Sequence, residues 1–178
     1  MTGGRSSAAW SPLAKAMPAG MMSPPRECTQ AELAAVLRLL AAFRPRIGSI
    51  NIGSSRDPIS LATAVAVQDA WTLAGGQVLD VVDWPEDAAS WLRQARRFTV
   101  HEPDAWVVTG TVPGWVQMGR RLAYSTDWDP ARTVATASLA DATLIAAGGI
   151  GTFDGLRGVH RDGRSWHITR TLLIDGAR

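Results

Sequence analysis

Apolar positions along this chain recur with two alternating periods, one near 3.6 residues and one near 2. Thr29 and Glu32 have the spacing of a capping box, in which the threonine oxygen accepts a free helix-end N–H and the glutamate reaches back. The helix they open is predicted to run to about residue 43, with Leu33, Val36, Leu37 and Leu40 as its apolar stripe and Arg44-Pro45 as its stop. Residues 46–52 then read as a short strand entering a polar loop, 53–57. Pro58 suits the first turn of a second helix, where its missing N–H would go unpaired anyway. Ile59, Ala62, Ala66, Ala70 and Leu73 keep helical spacing, and Gly75-Gly76 ends the element.

The alternation continues. A strand is predicted over 77–82, then a helix from Pro85 or Glu86 with Ala88, Trp91, Leu92 and Ala95 on one face. Arg93, Gln94, Arg96 and Arg97 point away from that face. A strand over 105–108 precedes a helix near 113–124, whose buried side holds Val112, Trp115, Val116, Gly119 and Leu122. A strand over 133–136 precedes a short helix over 138–147 closed by Gly148-Gly149. Residues 155–160, the turn Asp162-Gly163 and residues 165–174 read as a hairpin, since Asp-Gly between alternating runs favours a tight primed turn.

Strands separated by helices imply parallel pairing with right-handed crossovers. The expected fold is therefore α/β: a doubly wound, mostly parallel sheet flanked by helices, with a C-terminal β-hairpin. Ligands of such a sheet sit at the carboxyl ends of its strands, near the reversal of strand order. Residues 1–28, rich in Gly, Ser and Pro, are expected to be a flexible tail ahead of a single lobe over 29–178.

Composition narrows the function classes. With 46% hydrophobic and 19% charged residues in 178, the chain can bury a core and is not a disordered one. Its single cysteine, Cys28, excludes an internal disulfide and a multi-cysteine zinc site. No apolar run approaches the roughly 18–20 residues a bilayer span needs, so no membrane insertion is expected. The net charge of +2 resides in residues 1–28, and the remainder is balanced. Nucleic-acid binding thus lacks its usual electrostatic support. Pro12, Lys15 and Pro18 interrupt the mildly apolar stretch 7–22, so it makes a poor export signal and a cytoplasmic protein is expected.

Candidate chemistry gathers at three strand ends. Ser54, Ser55 and Asp57 follow the first strand, Thr109, Gly110 and Thr111 the third, and Ser138 lies just past the fourth. In this architecture all three exits face one rim, where helix N-terminal amides and short hydroxyls can hold a small polar ligand. The same residue types also cap helices, which is the competing reading of each loop by itself.

Other constellations are thin. No phosphate-binding loop or serine nucleophile elbow occurs, and the one lysine, Lys15, lies in the tail. His101, His160 and His167 are widely spaced, although the last two could meet across the hairpin. Asp83, Glu86 and Asp87, like Asp127 and Asp129, sit beside prolines at helix starts, where carboxylates favour the dipole. No catalytic group, metal or cofactor is expected. Of eight tryptophans, Trp84 and Trp91 are expected to share a helix face, and Trp71, Trp106 and Trp115 to fill core positions. Exposed tryptophans would instead anchor a partner surface.

The order of elements and the local wording resemble the second lobe of type 1 periplasmic binding proteins, the branched-chain amino-acid receptor class. The similar segments are 46–57 with the helix after it, Leu73-Ala-Gly-Gly-Gln-Val-Leu-Asp, 85–98, and Glu102-Pro-Asp-Ala-Trp-Val-Val-Thr-Gly. Ala135-Thr-Ala-Ser-Leu-Ala-Asp with the later Phe153-Asp-Gly-Leu-Arg-Gly matches the close of that lobe. The similarity covers residues 30–160, with no counterpart of the first lobe.

In that family two α/β lobes close on a small polar ligand, often an amino acid, delivered to an ABC transporter. The resemblance implies a non-enzymatic substrate-binding-protein-like module whose ligand residues are Ser54, Ser55, Asp57, Thr109, Gly110, Thr111 and Ser138. A lone lobe has half a cleft, so a homodimer or a missing-lobe partner would supply the other wall. The alternative is a regulatory or protein–protein interaction domain built on the same lobe, its ligand binding lost.

Overall fold

A computed structural model of the chain describes residues 25–176. Most of the expected tail therefore lies outside the described residues, and only 25–28 of it can be compared. The capping box at Thr29 is present in full and opens α1, Gln30–Ala41. Pro58 occupies the first turn of α2, Pro58–Leu73, and Gly75, at φ 84°, turns the chain out of it toward β2, Gln77–Trp84. The remaining α-helices are α3, Leu92–Thr99, α4, Val112–Ser125, and α5, Thr143–Gly148, which Gly149 closes at φ 87°. Short 3-10 turns cover Pro130–Arg132 and Ala137–Leu139.

The strands β1 (Ser49–Ser55), β2, β3 (Ala105–Thr109), β4 (Thr133–Ala135), β5 (Arg157–Val159), β6 (Ser165–Thr169) and β7 (Leu172–Asp175) form one sheet in the order β2-β1-β3-β4-β5-β6-β7. Pairing is parallel from β2 across to β5 and antiparallel at β6 and β7. The chain steps outward from β1 to β2 and returns to β3 on the other side. The order thus reverses between β1 and β3, as a doubly wound sheet requires.

Two cores cover the two faces. On one, α1 and α2 bury Val36, Leu40 and Val67 against Ile50, Ile52, Val107 and Val134. On the other, α3, α4 and α5 bury Phe98, Trp115, Leu122 and Leu144 against Val82, Val108 and Ala135. Trp115 is fully buried among Trp84, Trp128 and Phe153, with ring centroids 5.6–5.7 Å away. Such offset and edge-on contacts add to the area term. No described tryptophan is exposed: Trp71, Trp84, Trp106, Trp115, Trp128 and Trp166 are buried and Trp91 is half-buried. A partner surface anchored by them has no support among the described residues.

Four elements differ from the sequence reading, the first being the helix expected over 138–147, which is a 3-10 turn at Ala137–Leu139 followed by α5 from Thr143, where Asp141 accepts the Thr143 N–H. β1 starts at Ser49 and continues through Ser55, because Ser54 pairs with Asp83 of β2 and Thr109 of β3. A central strand with both edges paired carries its hydroxyl residues into the sheet. Gly53 belongs to this run, since a Cβ there would sit 2.5 Å from the Trp84 ring. α3 begins at Leu92 rather than at residue 85 or 86, and Trp84 ends β2, so Trp84 and Trp91 do not share a helix face. Residues 165–174 fold back on themselves as β6 and β7, with Arg170 at φ 57° in the turn and its N–H donating to Asp154 at 2.8 Å. His160 and His167 do not meet, because His160 Nε2 lies 2.7 Å from Asp175 and His167 pairs across the sheet with Arg157.

Candidate functional site

Parallel strands send all their carboxyl ends to one rim, so the exits of β1, β3 and β4 are neighbours in space. Thr111 N–H donates to Ser55 Oγ at 3.1 Å, tying the β3 exit to the β1 exit. Gly110 has to be glycine here, since a Cβ would lie 2.5 Å from Ser55 Oγ and 3.1 Å from the Ser55 nitrogen. Past β4, Ser138 Oγ lies 3.2 Å from Thr136 Oγ1. At this rim a cleft of about 360 Å3 is lined by Gly110, Thr111, Ala137 and Ser138 from the β3 and β4 exits. Val112, Ala140, Asp141, Glu32, residues 25–26 and Arg161 complete the lining. A recess of about 10 Å3 shares Arg26, Glu32 and Ser138 with the cleft and adds Ser60, Thr63, Thr109 and Thr136.

The seven residues expected at the site therefore divide. Gly110, Thr111 and Ser138 share the cleft, and Thr109, buried at the end of β3, lines the recess. Ser54, Ser55 and Asp57 line neither. Ser54 and Ser55 are fully buried strand residues. Asp57 is the N-cap of α2, with Oδ1 accepting from Ser60 N–H at 2.9 Å, while its Oδ2 and the hydroxyls of Ser54 and Ser60 are buried without a hydrogen-bond partner.

The sequence reading missed the carboxylates that reach across the rim. Glu32, only 3% exposed, completes the capping box and also accepts from Ala137 N–H at 2.8 Å, bracing α1 against the β4 exit. Glu86 crosses from the end of β2 to the start of α4, where it accepts from Gly114 N–H at 2.8 Å and from Thr111 Oγ1. Asp141 accepts from Thr143 N–H and Oγ1 at 2.8 and 2.7 Å. The backbone amides expected to receive a ligand are thus engaged in part by the chain's own acids. The capping-box glutamate was the one visible signal, and it read as a purely local contact. Beside it, burial and the Glu32 charge push the Cys28 thiol up to about 12.

Among the described residues no three His, Cys, Asp or Glu side chains converge in a way that could hold a metal ion, and no helix is long and apolar enough to cross a membrane.

The fold is that of part of the solute-binding proteins of ABC transporters. An extracellular ligand-binding receptor from Rhodopseudomonas palustris superposes with a TM-score of 0.62 at 13% identity, over 78% of this chain and 36% of that one. A leucine-binding protein from Thermotoga maritima gives 0.59 at 18%, over 75% and 38%. An R. palustris ABC-transporter solute-binding protein in complex with benzoate gives 0.57 at 12%, over 73% and 34%. The chain spans less than two fifths of the length of each. No family model and no curated protein matches the sequence. The resemblance to the branched-chain amino-acid receptor class is shown in the fold, over part of those proteins' length.

Proposed function

We propose that this chain is a non-enzymatic solute-binding module that holds a small polar, amino-acid-like molecule at the carboxyl rim of its sheet. The observation that carries the reading is the convergence of Gly110, Thr111 and Ser138, from two different strand exits, on one cleft. Its volume of about 360 Å3 falls in the usual range of small-molecule sites, about 300–1,000 Å3. Structures that share the fold include a leucine-binding protein and a protein in complex with benzoate, which supports a small organic ligand. Residues 29–178 act as one lobe in this reading.

Thermal unfolding with a panel of amino acids, benzoate, sugars and nucleotides tests it. A ligand at a hundred times its Kd adds about 2.7 kcal/mol, which raises Tm by roughly 5–10 °C for a chain of this size. Ser138→Ala should weaken the response. No shift with any compound overturns the reading.

One observation favours the interaction-domain alternative. The edge strand β7 exposes Leu172 and Ile174 beside a groove that also holds Ile150, which is 90% exposed. An unpaired apolar edge invites pairing with another chain. A stable dimer by light scattering, together with a silent ligand panel, would select that alternative.

A further inference from the structure

The sheet has two edge strands, β2 and β7, and they are finished differently. On β2, both backbone groups of Val81 are taken by charged side chains. Its N–H donates to Asp80 Oδ1 at 2.8 Å, and Arg97 Nη2 donates to its carbonyl at 3.2 Å. Asp80 and Asp83 also set charge along that strand, paired with Arg97 and Arg56. Charges and occupied backbone groups keep a sheet edge from pairing with another chain. β7 runs Leu172, Leu173, Ile174 in succession, and among the described residues no side chain bonds the backbone of Leu173 or Asp175.

The hairpin decides which groups of β7 are open. Gly176 N–H donates to the Ser165 carbonyl at 2.7 Å, and bonded and non-bonded pairs alternate along an antiparallel ladder. Leu172 and Ile174, opposite Thr169 and His167, therefore also turn their backbone groups toward β6. Thr171, Leu173 and Asp175 turn theirs to the open edge. Leu172 and Ile174, 64% and 40% exposed, share one face of the sheet. Leu173 packs against the core on the other face, beside a groove that holds Ile145 and Ile150.

A second copy fits this edge in one register. A two-fold axis normal to the sheet keeps every side chain on its own face, so opposed residues must have numbers of the same parity. Only an axis at Leu173 pairs all three outward residues among themselves: Leu173 with Leu173, and Thr171 with Asp175 twice. That register sets Leu172 of each copy opposite Ile174 of the other, apolar against apolar. It keeps the two Asp175 carboxylates about 14 Å apart along the strand. It also lays the exposed Arg170 turn of each copy beside the Asp175 end of the other, opposite charge to opposite charge.

We infer that the chain forms a two-fold homodimer by antiparallel pairing of its β7 edges, with Leu173 on the axis. Each β7 is used once, so the assembly closes at two copies. A strand edge buries less than the roughly 1,600 Å2 of a standard interface, so the dimer is reversible and concentration-dependent. Because β7 runs parallel to β1 and β3, the two-fold turns the carboxyl rims to opposite ends. The second copy therefore walls neither cleft, and the dimer is independent of the solute-binding reading.

The test is sedimentation velocity and light scattering of the full chain over a concentration series. Monomer and dimer should be the only species, with the dimer fraction rising with concentration. Leu172→Lys and Ile174→Lys, at exposed positions, should each raise the dimer dissociation constant roughly tenfold or more and leave the Tm of the monomer unchanged. Leu73→Lys, at a 91% exposed position on α2, should leave the dimer intact. Leu173→Cys should oxidise to a disulfide-linked dimer, since opposed Cα atoms of a bonded pair lie about 5.5 Å apart, while the parent with Cys28 alone should not.

A monomer at every concentration, a species beyond the dimer, or a dimer that neither lysine variant weakens overturns the inference. Leu172→Cys cross-linking more readily than Leu173→Cys overturns the register. Each of these results leaves the solute-binding reading standing, and a silent ligand panel leaves the dimer standing.

Discussion

Glu32→Ala is the sharpest test of how this lobe is held together. The wild-type carboxylate accepts from Ala137 N–H at 2.8 Å and from Thr29 N–H at 3.4 Å, and so joins residues 105 apart in sequence. A bond to a charged acceptor contributes about 1.5–3 kcal/mol, and a buried N–H left unpaired costs a similar amount. The longer contact to Thr29 adds a few tenths, since the Thr29 side chain keeps its own bond to Glu32 N–H at 3.0 Å. Against this, the variant no longer has to bury a carboxylate, which offsets part of the loss. The net expectation is a destabilisation of about 2–3 kcal/mol.

Urea unfolding followed by tryptophan fluorescence should place the variant's midpoint roughly 1 M below wild type, with an unchanged slope. Thermal unfolding should show a fall of roughly 5–10 °C. Glu32→Gln, which keeps one acceptor, should lose about half as much free energy as Glu32→Ala. Amide exchange should speed up at Ala137 before the rest of the sheet. A Glu32→Ala loss below about 0.5 kcal/mol, the size of an ordinary surface change, would refute the reasoning. Glu32 would then be a local cap, and the α1 brace across the rim would carry no energy.

Two further outcomes follow from perturbed groups. The Asp104 carboxyl is held below its ordinary range by N–H bonds from Gly48 and Ser49 at 2.8 and 2.9 Å, which outweigh the opposing effect of burial. Its folded pKa lies under the unfolded value, so its contribution is complete above the ordinary carboxyl range and is lost as pH falls through the folded value. Asp104→Asn should therefore be less stable by roughly 0.5–1 kcal/mol at neutral pH, a figure reduced for solvent screening, and the gap should close in acid titrations of the urea midpoint. A gap that persists unchanged in acid would contradict this. Cys28, with its thiol pushed up to about 12, should resist iodoacetamide at pH 8 in the native protein and react once unfolded; being the only cysteine, it makes mass change an unambiguous readout. Rapid native alkylation would show that the thiol is not held in that environment.

Much of the architecture was legible because its signals are local. Thr29 and Glu32 mark the start of α1 within one turn, Pro58 marks the start of α2, and Gly75 and Gly149 mark two ends through positive φ. Strands alternating with helices imply parallel pairing, and parallel pairing puts all strand exits on one rim. From that alone Gly110, Thr111 and Ser138 could be assigned to a common edge. The strand ends were less legible. Ser54 and Ser55 look like loop residues, yet β2 and β3 on either side draw them into the ladder. Residues 165–174 read as one strand, because Arg170 carries no glycine-like signature for the turn it makes.

The amino-acid sequence by itself determined the layer order, the helix caps and the common edge at which the strand exits gather. Each of these follows from periodicity or from groups a few residues apart. Only the tertiary structure decided which of those groups remain free. Glu32 reaches Ala137, Glu86 reaches Gly114, and Arg161 reaches Glu27, over separations of 105, 28 and 134 residues. Contacts of that range leave no trace in local spacing, because they depend on how crossovers stack the exits. They close part of a rim of otherwise open amides with the chain's own carboxylates.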